Sequence, residues 1–383
     1  MKAIVNARII KDNSIFDGYT VLFEEKILRL MEGNALKGLE PEEVFDAAGR
    51  YLSPGFIDVH IHGCIGNDTM DDNESSLRNI SKAIAATGVT AILPTTMTMG
   101  FPMIEKSINR IRTLMDDAPG ASILGCHLEG PFISEEYKGA QDGKYIRRPD
   151  FKTIEGLSDV IRIVTIAPEE EGAEEFIESC VSQGIVVAIG HTNASYEQAM
   201  RAIQKGASHI THIFNAMTPL NHREPGAVGA AMDSSVVCEL IADNVHVNPA
   251  VQRILLKVKG VEGIILVTDA MKACLLEDGE YELGGQRVVV KNEVARLPAG
   301  NLAGSVLTLD KALRNFTANT GIGLIDAIKT VTENPARVLK VNDRKGSIDI
   351  GKDADFALFD DSFNIHATFV KGKKVYERVV KWE

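Results

Sequence analysis

Residues 54–63 read Pro-Gly-Phe-Ile-Asp-Val-His-Ile-His-Gly, an apolar run carrying two histidines at alternate positions. Side chains on a strand alternate between its faces, so His60 and His62 point one way while Val59 and Ile61 point the other. Further apolar runs follow at 89–95, 123–128, 161–166, 185–189, 209–214, 237–242 and 264–268, most of them near-continuous in Val, Ile, Leu and Ala. Parallel strands buried on both faces need that composition. Helical patterns separate the runs at 75–87, 103–115, 173–183, 196–205 and 249–258, and 307–319 supplies a closing helix. Strands alternating with helices over about 280 residues predict an α/β fold, a (β/α)8 TIM-type barrel. A doubly wound open sheet is the runner-up, but no GxGxxG or GxxxxGK[ST] loop opens any of the helices.

Outside the barrel the texture changes. Short β-rich runs alternate with turn signals at 3–10, 19–24 and 26–31, and again at 355–359, 367–370 and 374–376. Both ends of the chain are strand-rich and the middle is not. The two ends are therefore expected to pair into one small β-domain, residues 1–53 with 340–383, beside a barrel domain of residues 54–339.

The chain has 383 residues, with 41 Lys and Arg against 53 Asp and Glu, a formal charge of −12. No global positive field exists to hold nucleic acid or an anionic membrane surface, so neither is expected as a partner. An anionic small molecule would have to be met by a few local cations. Cys64, Cys126, Cys180, Cys238 and Cys274 are odd in number and form no CxxC pair, which reads as buried free thiols in a reducing compartment. Arg8, Lys11 and Asp12 interrupt the start of the chain before an apolar leader can form, and no later apolar run approaches 18 residues. A cytoplasmic location is expected.

The ligand-type residues gather at strand ends. His60 and His62 end the first strand, Glu129 the third and His191 the fifth; His212 lies on the sixth, His246 follows the seventh and Asp269 closes the eighth. In a closed barrel these ends converge on one face, where such folds place their active sites. An HxH pair alone is weak evidence, but further His, Glu and Asp residues at the same rim point to a site for a hard or borderline divalent metal. Cys64 and Cys126 lack partner spacing and read as buried thiols. His127, two residues from Glu129, faces the same interior and reads as a supporting or core residue. His209 and His366 have no ligand-like context and read as structural.

Beyond spacing, PGFIDVHIHG (54–63) resembles the first-strand signature of the amidohydrolase superfamily. HLEGPF (127–132), GHTNAS (190–195), THIFNAM (211–217), HREPGAVGA (222–230), DNVHV (243–247) and VTDA (267–270) are similar to its N-acetylglucosamine-6-phosphate deacetylase family. The resemblance covers nearly the whole chain and implies that the end domain is a β-sandwich. It implies that Glu129, His191 and His212 hold a main metal and that His60, His62 and Asp269 complete a second. Strand 4 ends Thr165-Ile166-Ala167-Pro168-Glu169 without the lysine that bridges metals elsewhere in the superfamily, so Glu129 would bridge. One or two divalent ions per chain follow, Zn or Fe first, Co or Mn next.

The resemblance further implies Asp269 as general base and acid, and His246 as the group polarising the substrate carbonyl. Ala140, Asn215, Ala216, His222, Arg223, His246 and Leu307 would contact a small-molecule sugar phosphate, N-acetylglucosamine 6-phosphate, within a homodimer. Plainer readings stand beside these: Asp269 as a helix N-cap, and Arg223 as a surface ion pair with Glu224. The alternative enzyme is another metal amidohydrolase, a cyclic amidase or a deaminase. The alternative outside catalysis is a silent scaffold, a reading that usually follows loss of ligands; none is missing here.

Overall fold

The computed structural model describes residues 1–33, 36 and 38–378. Eight parallel strands form the barrel wall. They are β1 (Phe56–Ile61), β2 (Val89–Pro94), β3 (Ser122–Ile123 and Cys126–Glu129), β4 (Ile161–Ile166), β5 (Val186–Ile189), β6 (His209–Ile210), β7 (Val237–Leu240) and β8 (Ile264–Leu266). Each pairs in parallel with the next, and the wall closes where Ile61 bridges Ala270 and the Asp269 N–H donates to the His60 carbonyl at 2.9 Å. β1 and β2 are buried at every position, as burial on both faces requires.

Two strands differ from the sequence reading. The third is divided, with Ser122–Ile123 on β2 and Cys126–Glu129 on β4. Gly125 makes the break: at φ +143° its missing Cβ would sit 2.5 Å from the Val160 carbonyl and the Arg162 side chain, so no other residue fits. The sixth strand ends at Ile210, so His212 stands on the turn that follows it and not on the strand itself. Its φ of +29° takes the backbone out of the ladder.

Helices wrap the wall with their apolar stripes inward. Asn73 caps Glu74–Ile84, which buries Leu77, Ile80 and Ile84, and a capping box of Ser195 and Gln198 opens Tyr196–Gln204. Phe101–Leu114, Ala173–Ser182, Pro249–Lys259 and the closing helix Leu309–Thr320 complete the expected set. Among the described residues no helix is long and apolar enough to cross a membrane.

The chain ends build one mixed eight-stranded sheet, joined where Tyr51–Pro54 runs antiparallel to Phe356–Phe359. The sheet folds back on itself: Phe23 packs edge-on to Phe369 at 5.8 Å although three strands separate theirs, and Phe45 meets Phe369 at 5.0 Å. Residues 379–383 of the expected end domain lie outside the described residues. A three-stranded antiparallel sheet, Gly279–Leu283, Gln286–Lys291 and Val294–Arg296, leaves the barrel between β8 and the closing helix. The sequence reading has no counterpart for it.

Candidate metal centre and active-site cavity

The strand ends bring two sets of donor atoms together. In the first, Nε2 of His191 and Nε2 of His212 stand 3.0 Å apart, and Glu129 Oε1 lies 3.2 and 3.1 Å from them. In the second, His60 Nε2 and His62 Nε2 are 3.4 Å apart, with Asp269 Oδ1 at 3.5 and 3.2 Å. Glu129 stands between the sets, reaching His60 through Oε1 at 3.5 Å and His62 through Oε2 at 3.3 Å. All six residues are buried.

These spacings suit a divalent ion. Ligands held about 2.1 Å from a common centre are roughly 3.0 Å apart at octahedral angles and roughly 3.4 Å apart at tetrahedral ones. The donor chemistry agrees, since imidazole and carboxylate are ordinary partners of such ions. The opposite ring nitrogens add support: His191 Nδ1 meets the Tyr137 carbonyl at 3.0 Å, His60 Nδ1 meets Glu239 at 2.9 Å, and His62 Nδ1 meets the Thr95 carbonyl at 3.2 Å. Each contact fixes the ring and leaves Nε2 for a ligand.

Local backbone aims the side chains. His191, His212 and Asp269 all lie in the left-handed region, at φ +48°, +29° and +47°. That conformation is costly for a residue with a Cβ and persists only where the surroundings enforce it. Here each residue sits just past a barrel strand. Asp269 begins no helix, because the next one described starts at Leu309, which removes the capping interpretation.

Electrostatics couple the groups. Burial alone would push the Glu129 carboxyl up, but His60, His191 and His212 hold it well below the usual range. Asp269 is likewise held low by His60 and His62 against its burial. His127 is neutral for the converse reason: burial, with His60 nearby, pushes it down to about 3. Both its nitrogens are taken, by the Val59 carbonyl at 3.1 Å and Thr165 Oγ1 at 2.8 Å. It is a core residue of the site, in line with the sequence reading.

Above the donors lies a cavity of about 300 Å³. His62, Glu129, His191, His212, His246 and Asp269 line it, together with the expected Ala140, Asn215 and Ala216. His246 Nδ1 is 2.6 Å from Asp243 Oδ2, so its other nitrogen is free to meet a ligand. Leu307 is buried but does not line the cavity, and neither do His222 and Arg223. Those two are exposed, and Arg223 lines a neighbouring cavity of about 510 Å³ bordered by Tyr137. Arg223 makes no ion pair with Glu224 within the described residues.

The structure adds residues that sequence reasoning missed. Gln141 donates to Glu129 Oε2 at 2.8 Å and accepts from the Thr98 N–H at 2.7 Å. Leu283, from the unexpected three-stranded sheet, closes one side of the cavity, and Gln286 of the same sheet donates to the Ala140 carbonyl. Glu239, on β7, accepts from both His60 and His209. Its signal was present, as a lone carboxylate inside the apolar run 237–242 must find a partner when buried. His209 is thus structural, as expected, yet it adjoins the centre.

Residues 51–375 match the amidohydrolase family. The chain is 39% identical over 334 residues to an N-acetylglucosamine-6-phosphate deacetylase of Lysinibacillus sphaericus, covering 86% of each chain. Its structure is similar to that of the Thermotoga maritima N-acetylglucosamine-6-phosphate deacetylase, with a TM-score of 0.89, 34% identity, and coverage of 98% of this chain and 100% of the other. It is also similar to a mutant N-acetyl-D-glucosamine-6-phosphate deacetylase of Mycobacterium smegmatis in complex with N-acetyl-D-glucosamine-6-phosphate, with a TM-score of 0.90, 29% identity, and coverage of 98% and 99%. Two histidine-carboxylate donor sets at the mouth of a parallel barrel, and these likenesses over nearly the full length, agree: the chain belongs to the amidohydrolase family, within its N-acetylglucosamine-6-phosphate deacetylases.

Proposed function

We propose that this chain hydrolyses the N-acetyl group of N-acetylglucosamine 6-phosphate, giving glucosamine 6-phosphate and acetate, with the barrel of residues 54–339 as its catalytic domain. The observation that carries the reading is the pair of donor sets sharing Glu129 on the floor of a cavity of about 300 Å³. Glu129, His191 and His212 would hold the main ion, and His60, His62 and Asp269 a second, Zn or Fe first, Co or Mn next. Such an ion supplies Lewis acidity and can lower the pKa of water from about 15.7 towards 7.

The chain's own groups do the rest. Asp269 takes a proton from the attacking water and returns it to the departing amine nitrogen; in the metal-free chain His60 and His62 hold its carboxyl low against burial. His246, oriented by Asp243, donates to the acetyl oxygen as negative charge develops there. Asn215, Ala216 and Ala140, which line the cavity, would contact the sugar.

Phosphate recognition needs a cation from elsewhere. Among the described residues no Lys or Arg lines the cavity. We read His222 and Arg223, exposed beside it, as reaching the cavity of the second subunit in a homodimer. The five cysteines are all unpaired and buried, which supports a cytoplasmic location. Acetate release from N-acetylglucosamine 6-phosphate, compared with the unphosphorylated sugar, tests the reading; no preference for the phosphorylated sugar would favour another amidohydrolase activity.

A further inference from the structure

We propose that Glu239 is the positioning residue of the His60, His62 and Asp269 donor set, and that it decides whether the chain retains a second ion. The inference rests on the metal-centre reading above and assigns a role to a residue outside both donor sets.

Glu239 is fully buried on β7, behind the donors and away from the cavity. Its two oxygens accept three bonds: Oε2 from His60 Nδ1 at 2.9 Å and from the His212 N–H at 3.1 Å, and Oε1 from His209 Nε2 at 3.0 Å. The bond to His60 holds the Nδ1 proton on the far side of the ring. In the neutral ring that a metal ion binds, Nε2 is thereby left with its lone pair turned towards His62 and Asp269. The bond from His209 fixes the carboxylate in turn, since that imidazole is also fully buried.

A metal site centred on Glu239 itself is the competing interpretation, because His60, His127 and Glu239 have donor atoms within 4.8 Å of one another. The contacts argue against it. Both nitrogens of His127 are already bonded, and His127 Nδ1 is 4.0 Å from Glu239. Glu239 therefore acts through His60. The main set depends on it less, because His191 is fixed by the Tyr137 carbonyl and Glu129 by Gln141. Only the His212 backbone links that set to Glu239.

The test is a Co(II) titration of metal-free wild-type protein and the Glu239→Gln variant, reading bound metal by equilibrium dialysis and coordination by visible absorption. Loss of an outer carboxylate typically weakens a site about 10- to 100-fold. The second equivalent should weaken by that factor in the variant, while the first changes by no more than a few-fold and the thermal unfolding transition remains cooperative. Two equivalents bound as in wild type, or equal weakening of both, would overturn the proposal. A wild-type protein that binds no Co(II) would instead overturn the metal-centre reading. If Glu239→Gln does not fold, Glu239→Asp keeps the charge but withdraws it by one methylene. It should show the same selective loss, and an unchanged two-step titration would count against the role.

Discussion

His62 Nε2 and Asp269 Oδ1 lie 3.2 Å apart across the seam where the first and last barrel strands close. Residues more than 200 positions apart in sequence thus share one donor set, whereas Glu129, His191 and His212 form the other from the third, fifth and sixth strand ends. Substitutions should separate the two. His60→Asn or His62→Asn should lower metal stoichiometry without unfolding the barrel, and His191→Ala should abolish binding at the main set. Elemental analysis of the three purified variants checks this; equal metal content in all would mean that the ligands are wrongly assigned.

Asp269→Asn keeps the shape of the side chain and removes its proton acceptor. A positioned acid/base group contributes about 10²- to 10⁴-fold, so kcat should fall by at least the lower figure with the circular dichroism spectrum unchanged. A loss of tenfold or less would move the base role to His246 or Glu129.

The pH dependence has a definite sign. In the metal-free protein burial tends to lower the His60 pKa, but Glu129, Glu239 and Asp269 outweigh it and raise the value to about 9. Metal ions bind neutral imidazole, so binding at pH 7 should expel at least one proton, and affinity should climb with pH up to about 9. Calorimetric titration at pH 7 in two buffers of different ionisation enthalpy measures the release; identical apparent enthalpies would contradict it. The same raised pKa stabilises the metal-free fold fully below about pH 6.5, and that contribution is lost as pH rises through about 9.

Much of this site was legible in the sequence because strand geometry is local. Alternation placed His60 and His62 on one face, and apolar runs located Glu129, His191 and Asp269 at strand ends. What was not legible depends on contacts between distant segments. Glu239 is a core carboxylate whose partners come from strands one and six. Gln141 lies in a long connection with no periodic signal, and Leu283 belongs to a sheet inserted after the eighth strand. The apolar run 209–214 keeps His212 on its strand, because nothing local in the sequence signals that the backbone there turns left-handed.

Arg223→Ala tests the phosphate assignment. A charge-assisted hydrogen bond is worth about 1.5–3 kcal/mol, so kcat/KM for N-acetylglucosamine 6-phosphate should fall roughly 10- to 150-fold. Turnover of the unphosphorylated sugar, which has no group to lose the contact, should barely change. Equal loss on both substrates would indicate general damage to the site. Mixing Arg223→Ala with Asp269→Asn should restore some activity if the arginine serves the neighbouring subunit, because mixed dimers then contain one intact site.

Deacetylation should depend on metal held by the donor sets around Glu129. The most direct measurement is acetate release from N-acetylglucosamine 6-phosphate by one preparation, before chelation, after it, and after stepwise return of Zn, Fe, Co or Mn. Activity should disappear with the metal and return in step with bound equivalents. Full activity in protein verified to be metal-free would contradict this dependence.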